Sequence, residues 1–105
     1  RQQENFNRVN FLGKRKCKEI AVNGCNLTAL IDSGSSVTLM NVSTYEKLGS
    51  PHLHETDDVF NGIANAQLIP RGRFIARVII DNQEFSTPIY VADDSSTNVP
   101  VIIGA

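Results

Sequence analysis

The 105-residue chain has no tryptophan, a single methionine, two histidines and two cysteines, and its charges nearly cancel at a net −1. Each shortage removes a class of protein. Two cysteines cannot supply the disulfide framework of a small secreted domain, and they read as free thiols in a reducing compartment. Near-neutral charge gives no general pull toward nucleic acid or an anionic membrane, so neither is an expected partner. No apolar run approaches bilayer-spanning length, and no signal-peptide pattern opens the chain. The expected location is therefore cytoplasmic, or more broadly intracellular. The serines lack a Gly-x-Ser-x-Gly elbow and no glycine-rich loop leads into a helix with a lysine, which argues against serine hydrolases and phosphate-cradling enzymes. The chain does not open on methionine, its only one being Met40, and is expected to be a piece of a longer product.

What is present suits one domain with a modest single core: 41% hydrophobic and 20% charged residues. Residues 1–15 are polar and read as an N-terminal extension or linker. Beyond them, 16–22 and 25–31 read as strands joined at Asn23-Gly24, the strongest short hairpin signal. A strand over 37–41 follows, then a short helix over 43–48 with Ser43 as cap, Glu46 completing a capping box, and Gly49 and Pro51 ending it. Short strands flank 61–67, and 73–80 alternates apolar and charged side chains as a half-buried strand does. Asp81-Asn82-Gln83 turns the chain into a partner strand over 84–91. A polar loop leads to the apolar strand 101–103. Many short strands with one brief helix indicate a small all-β, closed barrel-like domain. Two weak halves are visible, each a hairpin followed by an apolar strand.

One acidic residue stands apart. Asp32 ends the apolar run Ala29-Leu30-Ile31 and enters Ser33-Gly34-Ser35-Ser36. A carboxylate so placed needs donors, which backbone N–H groups, brought close by a glycine, and serine hydroxyls can supply. Asp57, Asp58, Asp81, Asp93 and Asp94 lack this frame and read as solvated loop acids. Carboxylate-driven peptide hydrolysis needs two such groups sharing one proton, and this chain offers one. The second must come from another copy across a two-fold axis, which predicts a homodimer.

Asp32-Ser33-Gly34 behind its apolar lead, followed some seventy residues later by Ile102-Ile103-Gly104, resembles the retropepsins, the aspartic proteases of retroviruses and LTR retrotransposons. The likeness runs from about Lys16 to Ala105. It implies the retropepsin fold over 16–105, lacking the helix and strand that follow Ile-Ile-Gly in family members. It implies that Asp32 is the catalytic aspartate, that Ser33, Gly34 and Ser35 support its loop, and that a hairpin tipped by Asn61, Gly62, Ile63 and Ala64 closes over a peptide. Ile102, Ile103 and Gly104 would pack behind the catalytic turn. The family more often carries Thr where Ser33 stands. The implied activity is aspartic endopeptidase action on a Gag–Pol polyprotein, in the cell or in virus-like particles, with neither cofactor nor metal. Two alternatives share the motif: a cellular retroviral-like protease acting on host proteins, and an inactive domesticated domain used for binding or assembly. His52, His54, Glu55, Asp57 and Asp58 could in principle gather a metal, but they read better as a solvated linker.

Overall fold

A computed structural model describes residues 16–32, 34–61, 67–97 and 99–104. Its first element is the expected hairpin. Asn23 and Gly24 take left-handed φ values of 50° and 84°, the backbone a two-residue turn between twisted strands requires. They join β1 (Lys16–Val22) to β2 (Cys25–Ile31), with Val22 opposite Cys25 and Cys17 opposite Leu30. The two thiols therefore lie toward opposite ends of the hairpin.

Beyond Asp32 come β3 (Thr38–Asn41) and the single helix α1 (Val42–Lys47). The two-residue strands β4 (Phe60–Asn61) and β5 (Gln67–Leu68) pair with each other, apart from the barrel. The second long hairpin is β6 (Gly72–Ile80) and β7 (Gln83–Ala92), and β8 (Val101–Ile103) is the last strand. The turn between β6 and β7 is the two-residue Asp81-Asn82, both left-handed at φ 53° and 66°. It is one residue shorter than the sequence suggested, and Gln83 already belongs to β7.

Six strands close into a barrel in the order β1-β2-β8-β3-β7-β6. The order is itself symmetric. β2 runs parallel to β8 as β7 does to β3, while β3–β8 and β1–β6 are antiparallel pairs that a two-fold would map onto themselves. The two weak halves in the sequence are thus two structural repeats, β1-β2-β3 and β6-β7-β8. On β6, alternate residues from Gly72 to Val78 are buried and those between are exposed, so the period of two fixes which face enters the core. Val22, Met40, Val78, Ile89, Val91 and Val101 are fully enclosed there.

The cap of α1 differs from expectation. Asn41, not Ser43, is the N-cap: it stays extended at the end of β3, and its side chain accepts from the Thr44 N–H at 3.0 Å. Ser43 instead gives its N–H, at 3.1 Å, and its hydroxyl to Asp94. Asp94 therefore ties the second repeat's loop to the helix, and these bonds hold its carboxyl below the usual range. Asn41→Ala should cost about 1–2 kcal/mol in urea denaturation, whereas Asn41→Asp, which keeps the acceptor, should cost well under half of that.

Candidate active site

The turn carrying Asp32 is held almost wholly by backbone. The Asp32 N–H donates to the Ile103 carbonyl at 2.9 Å, extending the β2–β8 ladder one residue past β2. The Ser35 N–H returns to the Asp32 carbonyl at 3.0 Å and closes the turn. The Ser35 hydroxyl donates to the Val37 carbonyl at 2.8 Å, which keeps Val37 out of β3. The Gly104 N–H donates to the Thr38 hydroxyl at 3.3 Å and links the end of β8 to the start of β3.

The Asp32 side chain is exposed. One carboxylate oxygen, Oδ1, accepts from the Gly34 N–H at 3.0 Å, and an added Cβ on Gly34 would stand 3.3 Å from that same oxygen. Glycine here lets backbone crowd the carboxylate, as its sequence frame implied. The serine expectation is corrected in part, because the Ser35 hydroxyl is spent on backbone rather than on the charge. Ser33 lies outside the described residues.

The register also shows what lies beside Asp32. Leu30 pairs with Ile102, Ile102 with Leu39, and Leu39 with Tyr90. Partners in register share a face of the sheet, and alternation puts that face outside the barrel, since Ala29, Met40, Val101, Ile103, Ile89 and Val91 belong to the core. An apolar row crossing four strands therefore starts next to the carboxylate. The row was not legible in the sequence, because no residue spacing reveals which strands become neighbours. Ile103 and Gly104 serve the turn from behind, and Ile102 faces outward.

Asp32 has a structural counterpart in the second repeat. Asp93 follows β7 as Asp32 follows β2, but its carboxylate forms an ion pair with Arg71 at 2.5 Å. Neighbouring Asp94 accepts from the Ser43 N–H and hydroxyl at the start of α1. Asp58 accepts from the Tyr90 and Thr56 hydroxyls, and Asp81 pairs with Lys18. Asp58, Asp81 and Asp94 are exposed and Asp93 half-buried, solvated acids as the sequence suggested, and each also has a hydrogen-bond or ion-pair partner. Among the described residues no three of His, Cys, Asp and Glu gather in a metal-sized cluster. The 52–58 segment is largely exposed, as a solvated linker is, and His54 and Arg73 exchange backbone bonds at 2.8 and 3.0 Å that pin it to β6. Of the expected hairpin tip, Asn61 pairs with Gln67 at its base, while Gly62, Ile63 and Ala64 lie outside the described residues.

A family model described as "Aspartyl protease" matches residues 19–105. The chain belongs to the aspartyl protease family. Solved structures carry the fold further within that family. A retropepsin-like aspartic protease from Rickettsia conorii aligns over 87% of this chain and 74% of its own, with TM-score 0.67 and 19% identity. The EIAV protease, solved with the inhibitor HBY-793, aligns over 92% of this chain and 88% of its own at TM-score 0.65 and 18% identity. The retroviral protease-like domain of Ddi1 from Leishmania major covers 88% of this chain and 69% of that one, at TM-score 0.64 and 22% identity. This aspartyl protease chain thus has the retropepsin fold. In sequence it is 28% identical over 74 residues to the uncharacterized protein K02A2.6 of Caenorhabditis elegans, a stretch that is 70% of this chain but only 6% of that protein.

Proposed function

We propose that this domain is an aspartic endopeptidase of a retroelement Gag–Pol polyprotein, active as a homodimer with one site shared between two subunits. The observation that carries the reading is the exposed Asp32 carboxylate, which accepts from the Gly34 N–H and has an apolar row beside it. A lone solvated carboxylate is a weak acid–base catalyst. Two of them brought together across a two-fold axis hold a single proton between them at moderately acid pH, since both cannot easily ionise side by side. The ionised Asp32 would take a proton from a water molecule as its oxygen attacks the peptide carbonyl carbon. The protonated Asp32 of the other subunit would give its proton to the carbonyl oxygen. Collapse of the tetrahedral intermediate then breaks the C–N bond: the carboxyl that took the water's proton gives it to the departing nitrogen, and one hydroxyl of the intermediate returns a proton to the other carboxylate as the carbonyl re-forms. No cofactor is needed for these transfers.

In this reading the peptide lies extended along Leu30, Ile102 and Leu39, and Tyr90 at the far end of the row faces the β4–β5 hairpin instead. The β4–β5 hairpin serves as a flap, with Asn61 in its paired stem and Gly62, Ile63 and Ala64 at its tip. Ser33 would brace the paired turns, and Gly34 and Ser35 would keep them in shape. The polyprotein setting is supported by the worm relative, in which the matched stretch is a small part of a far longer chain. Likeness to the Ddi1 domain supports a second reading, a cellular protease acting on host proteins. The parent reading frame separates them: reverse transcriptase downstream favours the retroelement, a ubiquitin-like domain the cellular enzyme.

Subunit mixing tests the shared site. If each site needs Asp32 from both chains, equal amounts of wild type and Asp32→Asn, allowed to exchange, should retain about a quarter of the activity of the same total of wild type. Retention of half would mean that one chain suffices and would overturn the dimeric mechanism.

A further inference from the structure

The β4–β5 hairpin meets the barrel through a small cluster that the cleavage chemistry leaves unused. Tyr90 sits in β7 between the core residues Ile89 and Val91, only 8% exposed, with its side chain on the outer face. Its hydroxyl donates to Asp58 Oδ2 at 2.8 Å. The Thr56 hydroxyl donates to the same oxygen at 2.9 Å, and the Asp58 N–H donates back to Thr56 Oγ1 at 3.1 Å. Two residues further on, Phe60 opens β4 and sets its ring edge-on to Tyr90, with centroids 4.9 Å apart and planes at 82°. These hydroxyls, with a weaker pull from Arg73, hold the Asp58 carboxyl below its ordinary range.

The hairpin needs such a tie. Among the described residues it has two paired positions, Phe60↔Leu68 and Asn61↔Gln67, and no ladder to any barrel strand. A two-stranded ribbon this short does not fix its own attitude. Tyr90 touches the chain just as it enters the hairpin, and it also closes the apolar row that begins beside Asp32.

We propose that Tyr90 and Asp58 are positioning residues, a post and latch that hold the β4–β5 hairpin at a set height over the Asp32 face and thereby set affinity for an extended peptide. They do not touch the reacting atoms. The inference rests on the protease reading above, and its test has one readout that does not.

Backbone hydrogen exchange in β4 and β5, with β6 and β7 as internal reference, is measured for wild type, Tyr90→Phe, Asp58→Ala and Asp58→Asn, beside steady-state cleavage of a peptide. Loss of one hydrogen bond to a carboxylate should speed exchange in β4 and β5 about fivefold while β6 and β7 hold. KM should rise by a similar factor with kcat within about twofold, as expected when binding alone is lost. Asp58→Asn should do less than Asp58→Ala, because its amide oxygen still accepts from both hydroxyls. Unchanged exchange in β4 and β5 would overturn the latch, and a fall in kcat at constant KM would overturn its role in peptide affinity. A wild-type protein that cuts no peptide would sink the protease reading, and exchange would still decide the latch.

Discussion

Asp32→Asn should abolish peptide cleavage, by about a thousandfold or more, and leave the thermal unfolding curve where it is. The two halves of this expectation come from different parts of the geometry. Stability is spared because the Asp32 side chain is exposed and, among the described residues, it is held by one backbone N–H, from Gly34 to Oδ1 at 3.0 Å. An asparagine side chain presents an oxygen at the same place. The turn is held by the Asp32, Ser35 and Gly104 N–H groups and the Ser35 hydroxyl, and the substitution removes none of them. Activity is lost because an amide can neither take a proton from water nor pass one to a carbonyl oxygen. Asp93→Asn is the natural control. It alters the corresponding acid of the second repeat, already paired with Arg71, and should cut at the wild-type rate. A chromogenic peptide assay with melting curves on all three proteins decides the matter. Asp32→Asn retaining a tenth of the wild-type kcat/KM would remove Asp32 from the chemistry.

What the sequence made legible was local. Asn23-Gly24 specifies its turn because few residues tolerate two consecutive left-handed conformations. The apolar lead into Asp32-Ser33-Gly34 reads as a strand running into a small-residue turn, because both signals lie within a few positions. The cap of α1 was misread for a related reason. Ser43 and Glu46 match a capping box, but Asn41 already stands extended at the end of β3, and Asp94, 51 residues away in sequence, claims the Ser43 side chain. Tyr90 and Asp58 were invisible for the same cause: they lie 32 positions apart and meet only once β7 is in the barrel. Sequence spacing carries turns and faces. It does not carry which strands become neighbours, and the apolar row beside Asp32 is entirely of that second kind.

Gly104→Ala should be the most damaging methyl group added at any of the described glycines. A Cβ at Gly104 would run into the Val37 carbonyl oxygen and stand 2.7 Å from that of Ser35. Both are backbone atoms of the Asp32 turn, so no side-chain rotation relieves the clash, and β8 must move away from the turn. Overpacking of this kind costs about 3 kcal/mol, at the upper end of its usual span. Gly24→Ala gives the contrast. Its φ of 84° strains any side chain, but nothing lies within 4 Å of the added carbon, so its cost is limited to about 1 kcal/mol of backbone strain. Urea denaturation of the two variants should rank them in that order, and a Gly104→Ala cost below that of Gly24→Ala would refute the close approach. The damage should reach activity as well. The Asp32 N–H is bonded to the Ile103 carbonyl, so a displaced β8 takes the turn with it and would spoil the proposed pairing of two carboxylates across a dimer axis. At a temperature where Gly104→Ala is still mostly folded, its kcat should therefore fall further than its folded fraction. That excess would measure how tightly the geometry of Asp32 depends on the strand behind it.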